Sequence, residues 1–453
     1  VKSVGVAAGL GAVFFSASQG AYAQVPPPAP EAIAVGDYAV TPIVESRLRG
    51  EYWHDLDAGN RGVLQERSRL GADVQRGAVE AKVVFQDARL WNLGGGDDII
   101  GHPGQLAVTS AYEGWVEAHT AGARPSFVRV GRQPVQWGEG RLLGIADWSP
   151  TGRSLDAIRA RLVEGDVAIE LLGASLSESV PPIESAAVFQ GSLISPSYGE
   201  LFGARLEWAL DPLLAAEVYG LVRLAQSNPV VSLGGSVKGQ TYTPAVRLHG
   251  EAQGWGWGVE GAYQLGHADD IGPNGKDRGA WAAAGHVGYS FEHAQLLPSV
   301  RVGLAYASGD DGSATYRAFD PLLPDVHTFT GAMDLFAWSN QEEADARVAI
   351  EPWSDASLSL AYRYEQLAEP KGAWRSAYLE TIGVSPTNTA RSLGHELDLV
   401  LVWTPWVPLD LTIGYSALIL GDGAKNLVSA TATTGSLASM AQFAYGQASL
   451  RIP

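Results

Sequence analysis

The sequence predicts an all-β protein, a transmembrane antiparallel β-barrel of about eighteen strands. Three observations predict it. Hydrophobic residues alternate with period two through eighteen segments, the linkers between them are alternately short and long, and tryptophans gather at the short-linker ends. No apolar run after residue 23 reaches the roughly 20 residues that a membrane-crossing helix needs, so the period of the pattern has to decide.

Residues 1–23 carry the marks of a secretory signal. Lys2 supplies a small basic region, Val4 to Phe15 an apolar core, and Ala21-Tyr22-Ala23 small residues at a cleavage site. Residues 24–37 follow as a Pro-rich segment, in which Pro26-Pro27-Pro28-Ala29-Pro30 makes a stiff extended spacer. Residues 38–453 read as a single barrel.

Within it, Ile43, Glu45, Arg47, Arg49 and Glu51 alternate with Val44, Ser46, Leu48, Gly50 and Tyr52. Leu64, Leu70, Ala72 and Val74 oppose Gln65, Arg67, Arg69 and Asp73; Phe202, Ala204, Leu206 and Trp208 oppose Arg205 and Glu207. The segments start near residues 40, 64, 78, 111, 126, 155, 166, 199, 213, 240, 254, 279, 297, 343, 356, 394, 409 and 441. Short linkers such as Glu164–Gly165 and Asp211–Pro212 alternate with long ones, from 54–63 up to 307–342. Short periplasmic turns, long outside loops and an even strand number are the signature of an outer-membrane barrel. A sandwich in water has no reason to alternate its loops. Trp208, Trp255, Trp257, Trp353, Trp403 and Trp406 fall at the short-turn ends, where amphipathic rings form an interfacial girdle. Segments 278–291, with alanines on one parity, and 441–451, of ambiguous facing, fit the pattern least well.

Composition narrows the function. The net charge of −18 argues against a nucleic-acid partner, and the absence of cysteine excludes disulfides, thiolate metal sites and a cysteine nucleophile. The nine histidines are scattered, and no G-x-S-x-G or H-E-x-x-H motif occurs. The chain is therefore not expected to be an enzyme, and no catalytic residue, cofactor or metal ligand is assigned. Acids gather in the long loops: Asp55, Asp57, Asp97, Asp98, Asp269, Asp270, Asp310, Asp311, Asp320, Asp325 and Glu342. These are expected to face a lipopolysaccharide surface. The runs Asp269-Asp270…Asn274…Asp277 and Asp310-Asp311-Gly312 could each hold calcium, though neither has EF-hand spacing.

A barrel of 16–18 strands is too wide for its wall side chains to fill and leaves an aqueous channel unless loops plug it. Its basic residues are mostly arginine, 25 against 6 lysines. At the inward parity stand Arg47, Arg49, Arg67, Arg69, Arg129, Arg159 and Arg161, with Arg205, Arg223, Arg247, Arg301, Arg347 and Arg363. Each guanidinium is a planar fork matched to a carboxylate, so it serves either an acidic solute or an inward Glu or Asp of the wall. The pairs 47/49, 67/69 and 159/161 are the hardest to neutralise, because residues two apart in a strand face the same way.

Two stretches are more specific. One runs from Gly131-Arg132-Gln133-Pro134-Val135-Gln136-Trp137-Gly138-Glu139-Gly140-Arg141 through Asp147-Trp148-Ser149-Pro150-Thr151-Gly152-Arg153-Ser154-Leu155-Asp156-Ala157-Ile158-Arg159. The other runs from Tyr306-Ala307-Ser308-Gly309-Asp310 through Phe319-Asp320-Pro321-Leu322-Leu323-Pro324 to Gly331-Ala332-Met333-Asp334-Leu335-Phe336. Together they resemble the alginate export family of outer-membrane proteins, over most of 38–453. The resemblance implies an arginine-rich constriction and outward passage of an anionic polysaccharide, with a periplasmic export scaffold as a further partner. It places Arg132, Arg141, Arg153, Asp156 and Arg159 in or beside the third long loop, where they line the constriction or hold an inward-folded loop. Arg153 and Asp156 would otherwise form a loop-anchoring ion pair. The alternative function is a diffusion porin for small anionic solutes or oligosaccharides. A surface protein with an occluded pore is the third.

Overall fold

A sheet in hydrocarbon has to close, since an unpaired strand edge finds no water there. The computed structural model describes residues 32–54, 56, 59–92, 105–176, 199–211, 213–225, 239–268, 275–431 and 438–452. Eighteen of its strands form the cylinder. They are β2 (Tyr38–His54), β3 (Asn60–Arg76), β4 (Val79–Asn92), β5 (Gln105–His119), β6 (Phe127–Gln133) and β7 (Leu155–Glu164), then β8 (Val167–Ser175), β9 (Gly199–Asp211), β10 (Leu214–Ala225), β11 (Gln240–Ala252), β12 (Trp255–Ala268) and β13 (Lys276–Ser290). The circuit ends with β14 (Ser299–Ala307), β15 (Gln341–Ile350), β16 (Ala356–Leu367), β19 (Ser392–Trp406), β20 (Leu409–Leu420) and β21 (Met440–Ile452). Each pairs antiparallel with the next, and β21 returns to β2 with Val44 opposite Ile452 and His54 opposite Gln442. The short strand β1 (Ile33–Val35) folds onto β2. A hairpin of β17 (Trp374–Arg375) and β18 (Thr381–Gly383) and the helix α1 (Asp422–Thr431) decorate the long loops. This is an outer-membrane barrel.

Strands β7, β9, β11, β16 and β20 begin at the expected residues. The first long loop does not: β2 and β3 run to His54 and from Asn60, which leaves only 55–59 between them. Strand β5 starts at Gln105 rather than near 111, because a bulge opposite Val84 and Phe85 breaks its alternation. The outward face is apolar, with Leu304 68%, Ile413 63% and Leu162 62% exposed, as lipid-facing positions are in an isolated chain. Five girdle tryptophans (Trp208, Trp255, Trp353, Trp403 and Trp406) stand out at the short-turn end; Trp257 is half-buried and donates to the Leu213 carbonyl.

The apolar core lies inside the cylinder. Loops 134–154 and 308–340 fold inward, and the wall makes room for them with small residues. Ala245, Ala262, Ala280, Ala282, Ala284 and Ala307 pack against Trp137, Leu142, Leu143, Phe319 and Leu323. The alanines of 278–291 are thus the seat of the plug. The ambiguous facing of β21 has the mirror cause. Phe443 and Tyr445 point inward, in a second cluster with Trp53, Phe336 and Trp374.

Leu304→Arg places a charge against acyl chains and should cost about 2 kcal/mol of folding free energy. Urea titration of the barrel refolded into vesicles checks this, with the inward Ser359→Ala expected to cost less.

Candidate functional site

Loop 134–154 begins where Pro134 ends β6, and it is zipped to loop 308–340 by backbone. Gly144 N–H donates to the Leu323 carbonyl (2.8 Å), Leu323 N–H to Leu142 (3.1 Å) and Asp325 N–H to Gly140 (2.7 Å). A Cβ on Gly144 would sit 2.6 Å from the Asp325 nitrogen, so glycine is required where the two chains cross. Arg153 ties the same crossing, donating to the carbonyls of Gly144 (3.0 Å), Leu323 (3.0 Å) and Pro324 (2.8 Å).

Four wall arginines grip the loop. Arg47 donates to the Asp147 and Ser149 carbonyls (2.6 and 2.7 Å), and Arg49 to that of Trp148 (2.9 Å) while lying 3.7 Å over the indole. Arg67 forks onto the Asp147 carboxylate (2.9 and 3.1 Å), and Arg69 meets the same carboxylate at 3.0 Å. Burial alone would push Asp147 up, but Arg67, Arg69 and Arg47 hold it well below the usual carboxylate range. A cavity of about 210 Å³ remains beside the grip, lined by Arg47, Arg67, Asp147, Trp148, Asp325 and His327. His327 stacks on Trp148 at 3.5 Å.

A second grip holds loop 308–340. Arg363 donates to the Phe329 carbonyl (3.1 Å) and Glu396 accepts from Met333 N–H (3.2 Å), with Glu343 and Asp398 beside Arg363. Asp320, buried but faced by Arg223 and Arg278, is lowered to about 2. The hairpin of β17 and β18 rests on this loop through Ala377 N–H and the Asp334 carbonyl (2.9 Å). Next to it, the Glu380 carboxyl is buried with both oxygens lacking hydrogen-bond partners, and burial pushes it up to about 8.

Between the grips runs a ladder of guanidinium groups and carboxylates. Arg129 meets Glu117 (2.8 Å) and lies 3.7 Å over Trp115. Arg159, Arg161 and Arg205 converge on Glu170 at 2.7, 3.1 and 2.9 Å. Arg161 and Arg205 also meet Glu207; Arg205 and Arg247 share Glu217. Among these, Arg129 and Arg161 keep the most open surface, 21% and 17%. Both lie toward the short-turn end.

The sequence-based expectations therefore divide. Arg47, Arg49, Arg67 and Arg69 face the lumen, but they grip a loop. The expectation that paired arginines escape neutralisation fails, because loop carbonyls, Asp147 and Glu170 supply the partners. Arg141 is buried in the plug, 4.3 Å over Phe329, beside Glu139. Arg132 and Asp156 pair with each other (3.1 Å) on the face of Val130 and Ile158, the outward one, so they do not line the pore. Arg153 is spent on the loop crossing, through the carbonyls of Gly144, Leu323 and Pro324, while Asp156 meets Arg132. Asp320 and Asp325 face the lumen rather than a lipopolysaccharide surface, carried in by their loop, and Glu342 lies on β15 against Arg391. Asp310 and Asp311 accept from Arg317 and Ser313 N–H as turn caps. Asp55, Asp57, Asp97, Asp98, Asp269, Asp270 and Asn274 lie outside the described residues. Glu170, which organises the ladder, went unread, although it carries the inward parity of its strand; Glu396 faces inward as its alternation with Leu397 and Leu399 indicates.

The alginate export family model matches residues 44–436. No curated protein matches the sequence. Solved structures with the same fold include OccAB1 of Acinetobacter baumannii (TM-score 0.58, 11% identity, 94% of this chain and 100% of that one) and OccK5 (OpdH) of Pseudomonas aeruginosa (0.57, 10%, 91% and 98%). OpdK of Pseudomonas aeruginosa with vanillate aligns at 0.55 and 11%, over 90% of this chain and 98% of that one.

Arg67→Ala with Arg69→Ala should free loop 134–154 and raise single-channel conductance and its noise several-fold in planar bilayers. With Asp147 depressed, its grip holds above the ordinary carboxylate range and is lost only as pH falls through the lowered value. Titration from pH 8 to 5 should therefore leave conductance noise from this loop unchanged. Glu380 has the opposite sign. Raised to about 8, it contributes most below roughly pH 4.3, its unfolded value, and that contribution is lost as pH rises through about 8. Thermal unfolding should shift downward from pH 5 to 9, and Glu380→Gln should flatten the profile.

Proposed function

The chain belongs to the alginate export family, and from that premise we propose that it is the outer-membrane channel through which an anionic polysaccharide leaves the periplasm. An outer-membrane channel is what family and fold establish; the cargo and direction are our reading. The observation that carries it is the ladder Arg129, Arg159, Arg161 and Arg205, whose guanidinium groups stand in one row along β6, β7 and β9. A polyuronate presents one carboxylate per sugar, and successive planar forks offer it charge-assisted hydrogen bonds at each step. Arg129, Arg159, Arg161 and Arg205 meet Glu117, Glu170, Glu207 and Glu217, so wall acids balance the row and hold its forks already oriented for carboxylates. Aromatic faces at Trp115 and Phe127 lie against the same arginines and suit the apolar faces of sugar rings.

One observation favours the second reading, a diffusion channel for small anionic solutes. Two inward loops with buried apolar contacts narrow the lumen, and the neighbour of like fold solved with vanillate holds a small molecule.

Planar-bilayer recordings separate the two. For export, polyuronate added on the short-turn side should block an anion-selective current, and Arg159→Ala with Arg161→Ala should weaken that block at least tenfold. Block by small monocarboxylates with none by polyuronate would sink the export reading.

A further inference from the structure

We propose that the membrane-facing side of β3 to β7 is an interaction surface for a second copy of this chain. The face carries charge where acyl chains would otherwise lie. Arg132 and Asp156, directly opposite across β6 and β7, pair at 3.1 Å on the outward side. Beside them, Arg89 forks onto Asp87 at 2.6 and 2.9 Å, and the Thr109 hydroxyl donates to the same carboxylate at 2.7 Å. Ser68 and Glu66 stand directly opposite Asp87 and Arg89. All share the parity of the exposed Leu70, Val83 and Phe85, and so point out of the barrel.

A charge against acyl chains is destabilising, most of all near the bilayer midplane. Strand length shows the depth. A crossing strand needs about 9–11 residues, and β6 has seven, with Arg132 the last but one. The wall therefore stops below the outer interface at this point. It also leaves an edge, because β5 pairs with β4 up to Gln105 but with β6 only as far as Gly114. Among the described residues no strand takes the β6 side of 105–113, and hydrocarbon offers an unpaired edge no hydrogen bond. The opposite wall is different. Outward residues of β14, β19 and β20 include Val302, Leu304, Leu397, Leu399, Ile413 and Ile419, with no acid or arginine among them.

Two requirements name the occupant. Polar partners are needed at the depth of the acyl chains, below the lipid head groups, and only protein supplies them there. Both signs of charge are present, with Arg89 and Arg132 set among Glu66, Asp87 and Asp156. Guanidinium groups of one copy can therefore meet carboxylates of another, whereas a partner of one sign would be repelled by part of the face. Close approach is open as well: Ala111 is exposed, and a Cβ on Gly114 would meet nothing within 4 Å. The surface does not depend on the identity of the cargo.

Photocrosslinking in outer-membrane vesicles tests it. The chain has no cysteine, so Thr109→Cys gives a single labelling point on this face, and Val302→Cys, at a position 54% exposed on the diametrically opposed β14, gives one on the other wall. Each is labelled with benzophenone maleimide in vesicles holding two differently tagged forms of the chain, then irradiated. Expected are covalent pairs carrying both tags from position 109, and at least tenfold fewer from position 302. Arg132→Leu with Asp156→Leu should lower the yield from 109 several-fold. Heat-modifiable gel migration reports whether that variant is folded; if it is not, the contrast between 109 and 302 decides. Equal yields at the two positions, adducts from 109 with lipopolysaccharide or another protein alone, or a yield unchanged in the folded double variant overturns the proposal.

Discussion

The Asp147 carboxylate, enclosed by Arg47, Arg67 and Arg69 and open on one side to the cavity, is the contact on which the lumen depends. Buried guanidinium groups survive only when their partners are close and well aligned, and the fork of Arg67 at 2.9 and 3.1 Å meets that condition. Its neighbours in the chain are held with it, since Arg47 and Arg49 bind the carbonyls of residues 147–149. Once loop 134–154 is fixed, its backbone templates loop 308–340 through three hydrogen bonds and Arg153. A cylinder of this width would otherwise be a wide water-filled hole. Removing Asp147 leaves the buried guanidinium groups of Arg67 and Arg69 under-compensated, which costs more than the contact itself.

The two grips use opposite signs. On β2 and β3 the wall supplies cations and the loop supplies Asp147 and carbonyls; on β15, β16 and β19 the wall supplies Glu343, Glu396 and Asp398 with Arg363 among them, and the loop supplies Met333 N–H and the Phe329 carbonyl. Strands β7 and β16 are the sixth and fifteenth of the eighteen and so stand diametrically opposed. The ladder therefore looks across the lumen at an acid-rich wall that loop 308–340 covers.

Much of this was legible beforehand, for a physical reason. Lipid outside and polar groups inside impose a strict alternation, so Val44 to Tyr52 declare their facing residue by residue. Two exceptions mark where the rule lapses. Ala280, Ala282, Ala284 and Phe443 face inward onto a plug, where apolar side chains are favoured on the lumen side too. What parity could not say is which guanidinium meets which acid. Arg67 finds Asp147 eighty positions away, and Arg153 finds carbonyls on loop 308–340. Glu170 bore the right parity on β8, but only its neighbours across β7 and β9 show that three arginines share it. Arg132 and Asp156 misled because a motif names residues without stating the face on which they lie.

On the export reading, the distribution of partners also indicates where an anion would travel. Arg47, Arg49, Arg67 and Arg69 have their forks closed by loop carbonyls and Asp147, so a solute carboxylate reaching them would have to displace the loop. Arg129, on Glu117, and Arg161, between Glu170 and Glu207, are partnered by wall acids alone and retain open surface toward the short-turn end. A solute carboxylate would add to the open edge of these guanidinium groups, since displacing a buried wall acid such as Glu170 would leave that acid without its partner. On the export reading, the route therefore follows β6, β7 and β9, and the more conspicuous arginine pairs of β2 and β3 serve it by setting the width of the passage.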